Sequence, residues 1–180
     1  MIKHNTQIEM EIRMNELKII TMQHQTDCEV AAIATALQIS YDEAKSALRW
    51  QKLPFNANNP IYGNPYNLYI ALINLKHWKV NKTLTQLLKG DYIPYKTIVL
   101  LHHPKSPIMK QHWVVLGNRL SNKQYEIYFG NDELPEIVSD TTLKGYFLAG
   151  WPNCAFTIYK ASVYRLMWEK IKVWFCDKLY

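Results

Sequence analysis

The hydrophobic pattern changes character along the chain. In residues 1–20, Ile8, Met10, Ile12 and Met14 alternate with polar residues as in a strand, so this segment reads as a strand or an irregular arm. From position 30 the run VAAIATALQ is small and apolar nearly all round, which predicts a central helix buried against other elements and beginning around Cys28. Thr26-Asp27-Cys28-Glu29 just before it matches a capping box, with Thr26 accepting from the amide three residues on and Glu29 reaching back. Ser40-Tyr41-Asp42-Glu43 repeats the pattern ahead of a short amphipathic helix, EAKSALRW. The Pro-, Asn- and Gly-rich stretch QKLPFNANNPIYGNPYN reads as a loop, which caps the fold or shapes a groove. Asn64-Pro65 at its end then serves as cap and first position of a third helix, NLYIALINLKHW. Thr83 to Leu88, closed by Gly90, predicts one more short helix.

Beyond Tyr92 the period shortens. KTIVLLHH, HWVVLGN, QYEIYFG and CAFTIYK are short runs rich in Val, Ile, Tyr and Phe, divided by polar turns such as RLSNK, and they read as antiparallel strands. The chain closes with SVYRLMWEKIKVWFCDKLY, a helix whose apolar face is wide enough that it must pack on something. Docking on the sheet is the first expectation for it, with a partner interface next and a membrane surface last. Helices followed by strands define an α+β class. With 180 residues and no linker or repeat, residues 1–180 are expected to form a single domain, with an N-terminal arm at 1–20 and a C-terminal helix at 162–180.

Composition narrows the functional classes. Lys and Arg number 21 against 15 Asp and Glu, a net charge of +6 with no clustered basic patch, which gives no support to nucleic-acid binding. No apolar run reaches the roughly 18 residues that cross a bilayer, and the N-terminus has no secretory signal, so a cytoplasmic location is expected. The three cysteines, Cys28, Cys154 and Cys176, form no CxxC pair and predict neither a disulfide framework nor a zinc site. Cys154 and Cys176 fall in an apolar strand and in the last helix, where a thiol is ordinarily a small core side chain. His102-His103 ends a strand run with its two rings on opposite faces, so the pair is poorly placed to chelate a metal, and His24 reads as a solvated loop histidine.

Cys28 is different, because it stands at the mouth of a buried helix. There the helix dipole favours the thiolate, and unpaired helix amides can donate to a developing oxyanion. A nucleophile of this kind needs a base, and His112 opens the apolar strand HWVVLG. The base needs an orienting group, and the next strand ends at Asn131-Asp132, either of which could hold the imidazole.

The segment Gln23-His24-Gln25-Thr26-Asp27-Cys28-Glu29-Val30-Ala31-Ala32-Ile33-Ala34 resembles the papain-like cysteine peptidases, in particular the family that processes double-glycine bacteriocin leaders and its stand-alone relatives. His112-Trp113-Val114-Val115 looks like the histidine strand of that family, and the resemblance covers roughly residues 20–50 and 110–133. It implies a papain-like fold with the nucleophile on the central helix, packed against an antiparallel sheet. By the resemblance Cys28 attacks an acyl carbon, His112 shuttles the proton, and Gln23, or alternatively Gln25, completes an oxyanion hole with the Cys28 amide. Asn131 is preferred to Asp132 as the orienting residue. Glu29 stands where the family commonly has glycine, and Phe129-Gly130-Asn131-Asp132 where it often has Asp-Pro.

The implied activity is thiol-dependent hydrolysis of a peptide or other amide bond through a thioester intermediate, acting on a protein or peptide substrate and needing no cofactor or metal. Deamidation and transglutaminase-like acyl transfer use the same groups. A catalytically inactive papain-like module that binds a protein is the non-enzymatic alternative, supported by the charge of Glu29 beside the thiol.

Overall fold

Small apolar side chains on every side, without glycine or proline, allow the stretch after Cys28 to be surrounded rather than merely covered. A computed structural model describes residues 17–24, 27–49, 65–102, 111–148 and 154–179, and it sets that stretch in helix α1 (Cys28–Leu37), buried from Val30 to Ala36. The helix ends at Gln38 in the left-handed region, φ 54°, with the cap amides donating to the carbonyls of Ala34 and Thr35. Helix α2 (Tyr41–Arg49) starts where the second capping signal predicts, and the Glu43 amide donates to Ser40 Oγ at 3.1 Å. Helix α3 (Pro65–Asn74) begins on its proline. Helix α4 (Leu84–Lys89) carries a complete capping box between Thr83 and Gln86 and closes at Gly90, whose φ of 80° is the conformation glycine adopts without cost.

The sheet has six strands: β1 (His77–Asn81), β2 (Thr97–His102), β3 (Gln111–Arg119), β4 (Gln124–Tyr128), β5 (Glu136–Ser139) and β6 (Ala155–Lys160). They lie in the order β1-β6-β2-β3-β4-β5, antiparallel throughout. Helix α5 (Asp140–Leu148) separates β5 from β6, and α6 (Val163–Leu179) follows β6. Period-two alternation divides the core. Ile98, Leu100, Trp113 and Val115 face Ile33, Ala34, Leu68 and Leu72 of the helical layer. Val99, Leu101, Val114 and Leu116 face the other way, onto Leu87 of α4 and Leu143 and Phe147 of α5. Burial of a large aliphatic or aromatic side chain stabilises by about 1.5–3 kcal/mol, so two layers of this kind hold the sheet from both sides.

Three elements depart from the sequence pattern. The third helix stops at Asn74 instead of running through Trp78: Lys76 turns the chain with φ 60°, and His77 and Trp78 enter β1. Pairing with β6 from His77↔Lys160 to Asn81↔Phe156, together with the Trp78–Tyr159 ring contact at 5.3 Å, outweighs one more helical turn. β5 and α5 have no strong periodic signal in EIVS and DTTLKGYFL, and it is their packing through Val138, Leu143 and Phe147 that fixes them. Residues 17–22 are an irregular arm, not a strand. They lie along α1, where the Ile20 amide donates to Thr35 Oγ1 at 2.9 Å and Gln38 Nε2 donates to the Lys18 carbonyl at 3.0 Å. The rest of the predicted arm, 1–16, and most of the Pro- and Asn-rich loop, 51–64, lie outside the described residues.

The loop after β4 closes on α1 through a glycine. The Met22 amide donates to the Gly130 carbonyl at 2.6 Å, and a Cβ on Gly130 would lie 2.5 Å from Ala31 Cβ and 2.9 Å from Met22 Cγ. Gly130→Ala is therefore expected to lower stability by about 1–3 kcal/mol through overpacking. The double variant Gly130→Ala/Ala31→Gly should recover part of the loss. Thermal melts of the three proteins check this, and equal loss in the single and double variants would mean the contact with Ala31 is not the cause.

Candidate active site

The start of α1 is set by what happens to Asp27. The helix begins at Cys28 with Asp27 as its N-cap, at φ −98° and ψ 22°, and the Asp27 side chain makes no capping bond. Its carboxylate instead accepts a short hydrogen bond from the Tyr41 hydroxyl on α2. The capping box starting at Thr26 would have put Asp27 inside the helix. Tyr41 holds Asp27 outside it, and Thr26 itself lies outside the described residues.

Cys28 is partly buried, and its sulfur faces three backbone amides: that of Trp113 on β3, that of Glu29 and its own. These favour the thiolate. Burial opposes it more strongly and the Glu29 carboxylate adds to that opposition, so the thiol is pushed up from 9.0 to about 11. The helix terminus therefore does not produce the low-pKa thiol that its position suggests. A helix end is worth up to about 2 kcal/mol, and desolvation exceeds what it and the amides supply here.

The Trp113 amide reaches Cys28 because of sheet register. β4 pairs with β3 from Val115↔Tyr128 onward, so Trp113 and His112 lie past the last β3–β4 pair. His112, next to that amide, is buried, with its ring 5.5 Å from Phe129 at an angle of 53°. Alternation sends the His112 side chain to the face of Val114 and Leu116, while the Trp113 amide lies in the plane of the sheet. The sulfur consequently sits at the β3 edge, one residue from His112.

Phe129, which touches the His112 ring, starts the turn that carries both orienting candidates. The Asp132 amide donates to the Phe129 carbonyl at 3.3 Å. Asn131 is exposed and Asp132 half-buried. On the opposite side Gln23 is exposed in a bend. The Tyr41 hydroxyl faces its backbone amide, the Met22 amide ties the preceding residue to Gly130, and the Asp27 amide donates to the His24 carbonyl at 3.2 Å. The elements bearing Gln23, Cys28, His112, Asn131 and Asp132 thus converge on the mouth of α1. Gln25, the alternative to Gln23, lies outside the described residues. Two contributors had no signature in the sequence: a backbone amide such as that of Trp113 leaves none, and a tyrosine opening a helix, like Tyr41, reads as core.

The other singled-out residues fall elsewhere. Cys154 is half-buried just before β6, where burial raises its thiol pKa. Cys176, expected in the core, is exposed, because α6 lies on the outside of α3 and β1 and no element among the described residues covers it. His102 is half-buried at the end of β2, His24 is exposed, and His103 is outside the described residues. His77 is half-buried in β1 with Nδ1 2.6 Å from the Leu75 carbonyl, and burial lowers its pKa. Among the described residues no cluster of His, Cys, Asp and Glu could hold a metal ion.

A helical layer packed on an antiparallel sheet is a fold that the chain shares with solved peptidase domains. The chain is similar to the peptidase domain of Streptococcus ComA, a bi-functional ABC transporter involved in quorum sensing, with a TM-score of 0.59 and 16% identity over 81% of this chain and 98% of that one. It is also similar to a double glycine motif protease from an AMS/PCAT transporter, in complex with the leader peptide, with a TM-score of 0.54 and 12% identity over 80% of this chain and 93% of that one. At these identities the likeness is one of fold. No protein-family model and no curated protein matches the chain.

With Cys28 held up to about 11, its alkylation by iodoacetamide should keep accelerating past pH 9. At pH 7 the thiolate population is about 100-fold below that of an unshifted thiol, so the exposed Cys176 labels first. Glu29→Gln removes the opposing charge and should move the Cys28 profile to lower pH. The sign for stability follows: the unfolded chain releases the Cys28 proton near 9 while the folded chain holds it, so this contribution is complete below pH 9 and lost toward pH 11. Peptide mapping across pH 6–11 on both proteins reads the profile, and a plateau by pH 8 would contradict it.

Proposed function

We propose that the chain is a thiol-dependent hydrolase that cleaves a peptide bond, with Cys28 as nucleophile, His112 as general base and acid, and Gln23 with the Cys28 amide as oxyanion donors. The observation that carries this reading is the Cys28 sulfur against the Trp113 amide, next to His112 on the stretch of β3 that pairs with β2 but no longer with β4. The leader peptide bound to one of the fold neighbours supports a peptide as substrate. We read residues 1–180 as one such domain.

With a neutral resting thiol, deprotonation belongs to the attack itself. His112 takes the Cys28 proton as sulfur bonds to the carbonyl carbon, and the oxyanion is met by the Gln23 side-chain amide and the Cys28 N–H. Collapse breaks the C–N bond, His112 delivers its proton to the leaving amine, and a thioester remains on Cys28. Water, deprotonated by His112, attacks the thioester. Release of the acid returns the proton to sulfur. Asn131 is the orienting residue that the resemblance implies; Asp132, less exposed and in the same turn begun by Phe129, is favoured for that role by its partial burial.

Glu29 and the raised Cys28 pKa favour a second reading, an inactive papain-like module that binds a protein. A peptide library followed by mass spectrometry separates the two. Cleavage should vanish in Cys28→Ala and fall about 10²–10⁴-fold in His112→Ala. Of Asp132→Ala and Asn131→Ala, the variant that removes the orienting group should shift the acid limb of the pH profile. New chain termini mark hydrolysis, whereas released ammonia without cleavage marks deamidation. Absence of both, with peptide retained unchanged, establishes the binding module.

A further inference from the structure

Helix α6 is attached to the fold by its polar side. Glu169, only 3% exposed, accepts a short hydrogen bond from Tyr69 of α3 and pairs with Arg165 at 2.7 Å and Lys172 at 3.4 Å. The Arg165 guanidinium lies 4.1 Å from the Trp78 ring of β1. A helix turns once in about 3.6 residues, so the side opposite Glu169 carries Tyr164, Met167, Ile171 and Trp174, with Phe175 and Trp168 along one flank. All six are exposed, Trp168 by 55%, Trp174 by 53% and Phe175 by 56%. A surface helix ordinarily faces its apolar side inward. Here Leu166 and Val173 accompany Glu169 on the inner side, but the large aromatic residues face outward, and a contiguous aromatic face of this kind marks an interaction surface.

The charges around that face indicate what covers it. Lys170 is exposed and the Lys172 side chain is 47% exposed, while Glu169, the one carboxylate among the described side chains of α6, is buried. The surface that fits is apolar at its centre and anionic at its rim. Indole and phenol rings, each apolar with one polar tip, suit the wet edge of a bilayer, and lysines beside them suit lipid phosphates. No helix among the described residues is long and apolar enough to cross a membrane, so any such attachment lies in the plane of the surface.

We propose that α6 docks the protein onto an anionic lipid surface, with the aromatic face in the interface and the exposed Lys170 against the headgroup phosphates. This departs from the sequence expectation, which put docking on the sheet first and a membrane last. The reason is that the buried Glu169 cluster fixes the rotation of the helix and turns its apolar side outward. The inference is independent of the thiol chemistry.

The test uses the full chain with vesicles of phosphatidylglycerol and phosphatidylcholine, and with phosphatidylcholine alone, read by co-sedimentation and tryptophan emission. The wild type should sediment with the anionic vesicles at low salt, with blue-shifted emission, and bind the neutral ones more weakly. Trp168→Ser/Trp174→Ser/Phe175→Ser should reduce binding to background. Lys170→Glu, a change at an exposed position, should weaken it by roughly tenfold or more. No sedimentation of the wild type, or undiminished binding of both variants, overturns the proposal. So does a concentration-dependent dimer, seen by light scattering without vesicle binding and dissolved by the triple variant, which would give the face to a second copy of the chain.

Discussion

Because Gly130 has no side chain, the loop after β4 can lie directly against Ala31 in the first turns of α1, and the Gly130 carbonyl can take the Met22 amide. This close approach joins three parts of the chain far apart in sequence: the arm before α1, the mouth of α1, and the turn that holds Asn131 and Asp132. β3 is the fourth, since the early end of β4 leaves the Trp113 amide to Cys28. The candidate site is assembled by backbone contacts of this kind, made by groups common to every residue. Such contacts tolerate changes of side chain, which accords with a fold shared at low identity.

Within that frame the chemistry is decided by a competition at one sulfur. Three amides stabilise the thiolate, and burial with Glu29 opposes it, leaving a shift from 9.0 to about 11. That net shift is about 3 kcal/mol against the thiolate, more than a helix terminus usually supplies. A resting thiolate–imidazolium pair is thus disfavoured, and a neutral thiol that loses its proton during attack fits better. The same amides that fail to ionise the resting thiol stay aimed at the place where charge develops, where they act without reorganisation.

How much of this could be read in the sequence depended on whether the signal was local. Capping chemistry is local, and Ser40, Pro65, Thr83 and Gly90 each mark a helix end where one is found. Alternating apolar runs are local too, and β2, β3, β4 and β6 follow them. β1 was hidden because its pairing partner, β6, lies far along the chain and only contact with it turns His77 and Trp78 from helix to strand. β5 and α5 were hidden because Val138, Leu143 and Phe147 are fixed by packing from other elements. In the site, residue types at Cys28 and His112 were legible, whereas the Trp113 amide, the Tyr41–Asp27 bond and the tight fit at Gly130 are products of the fold.

The orientation of α6 shows how a single buried charge can override hydrophobic patterning. From apolar content alone the aromatic face should seek the sheet, because each buried aromatic ring gains more than a surface ion pair supplies. Arg165 and Lys172 share the helix with Glu169 and turn with it, but Glu169 cannot turn outward without leaving the Tyr69 hydroxyl, nor Arg165 without leaving the Trp78 ring. Replacing such a cluster with apolar residues is often neutral or stabilising, so its value lies less in stability than in direction. Tyr69 on α3 and Trp78 on β1 lock Glu169 and Arg165 against the body, which sets the rotation of the helix about its axis. The aromatic residues are then held outward by a polar contact on the other side of the helix.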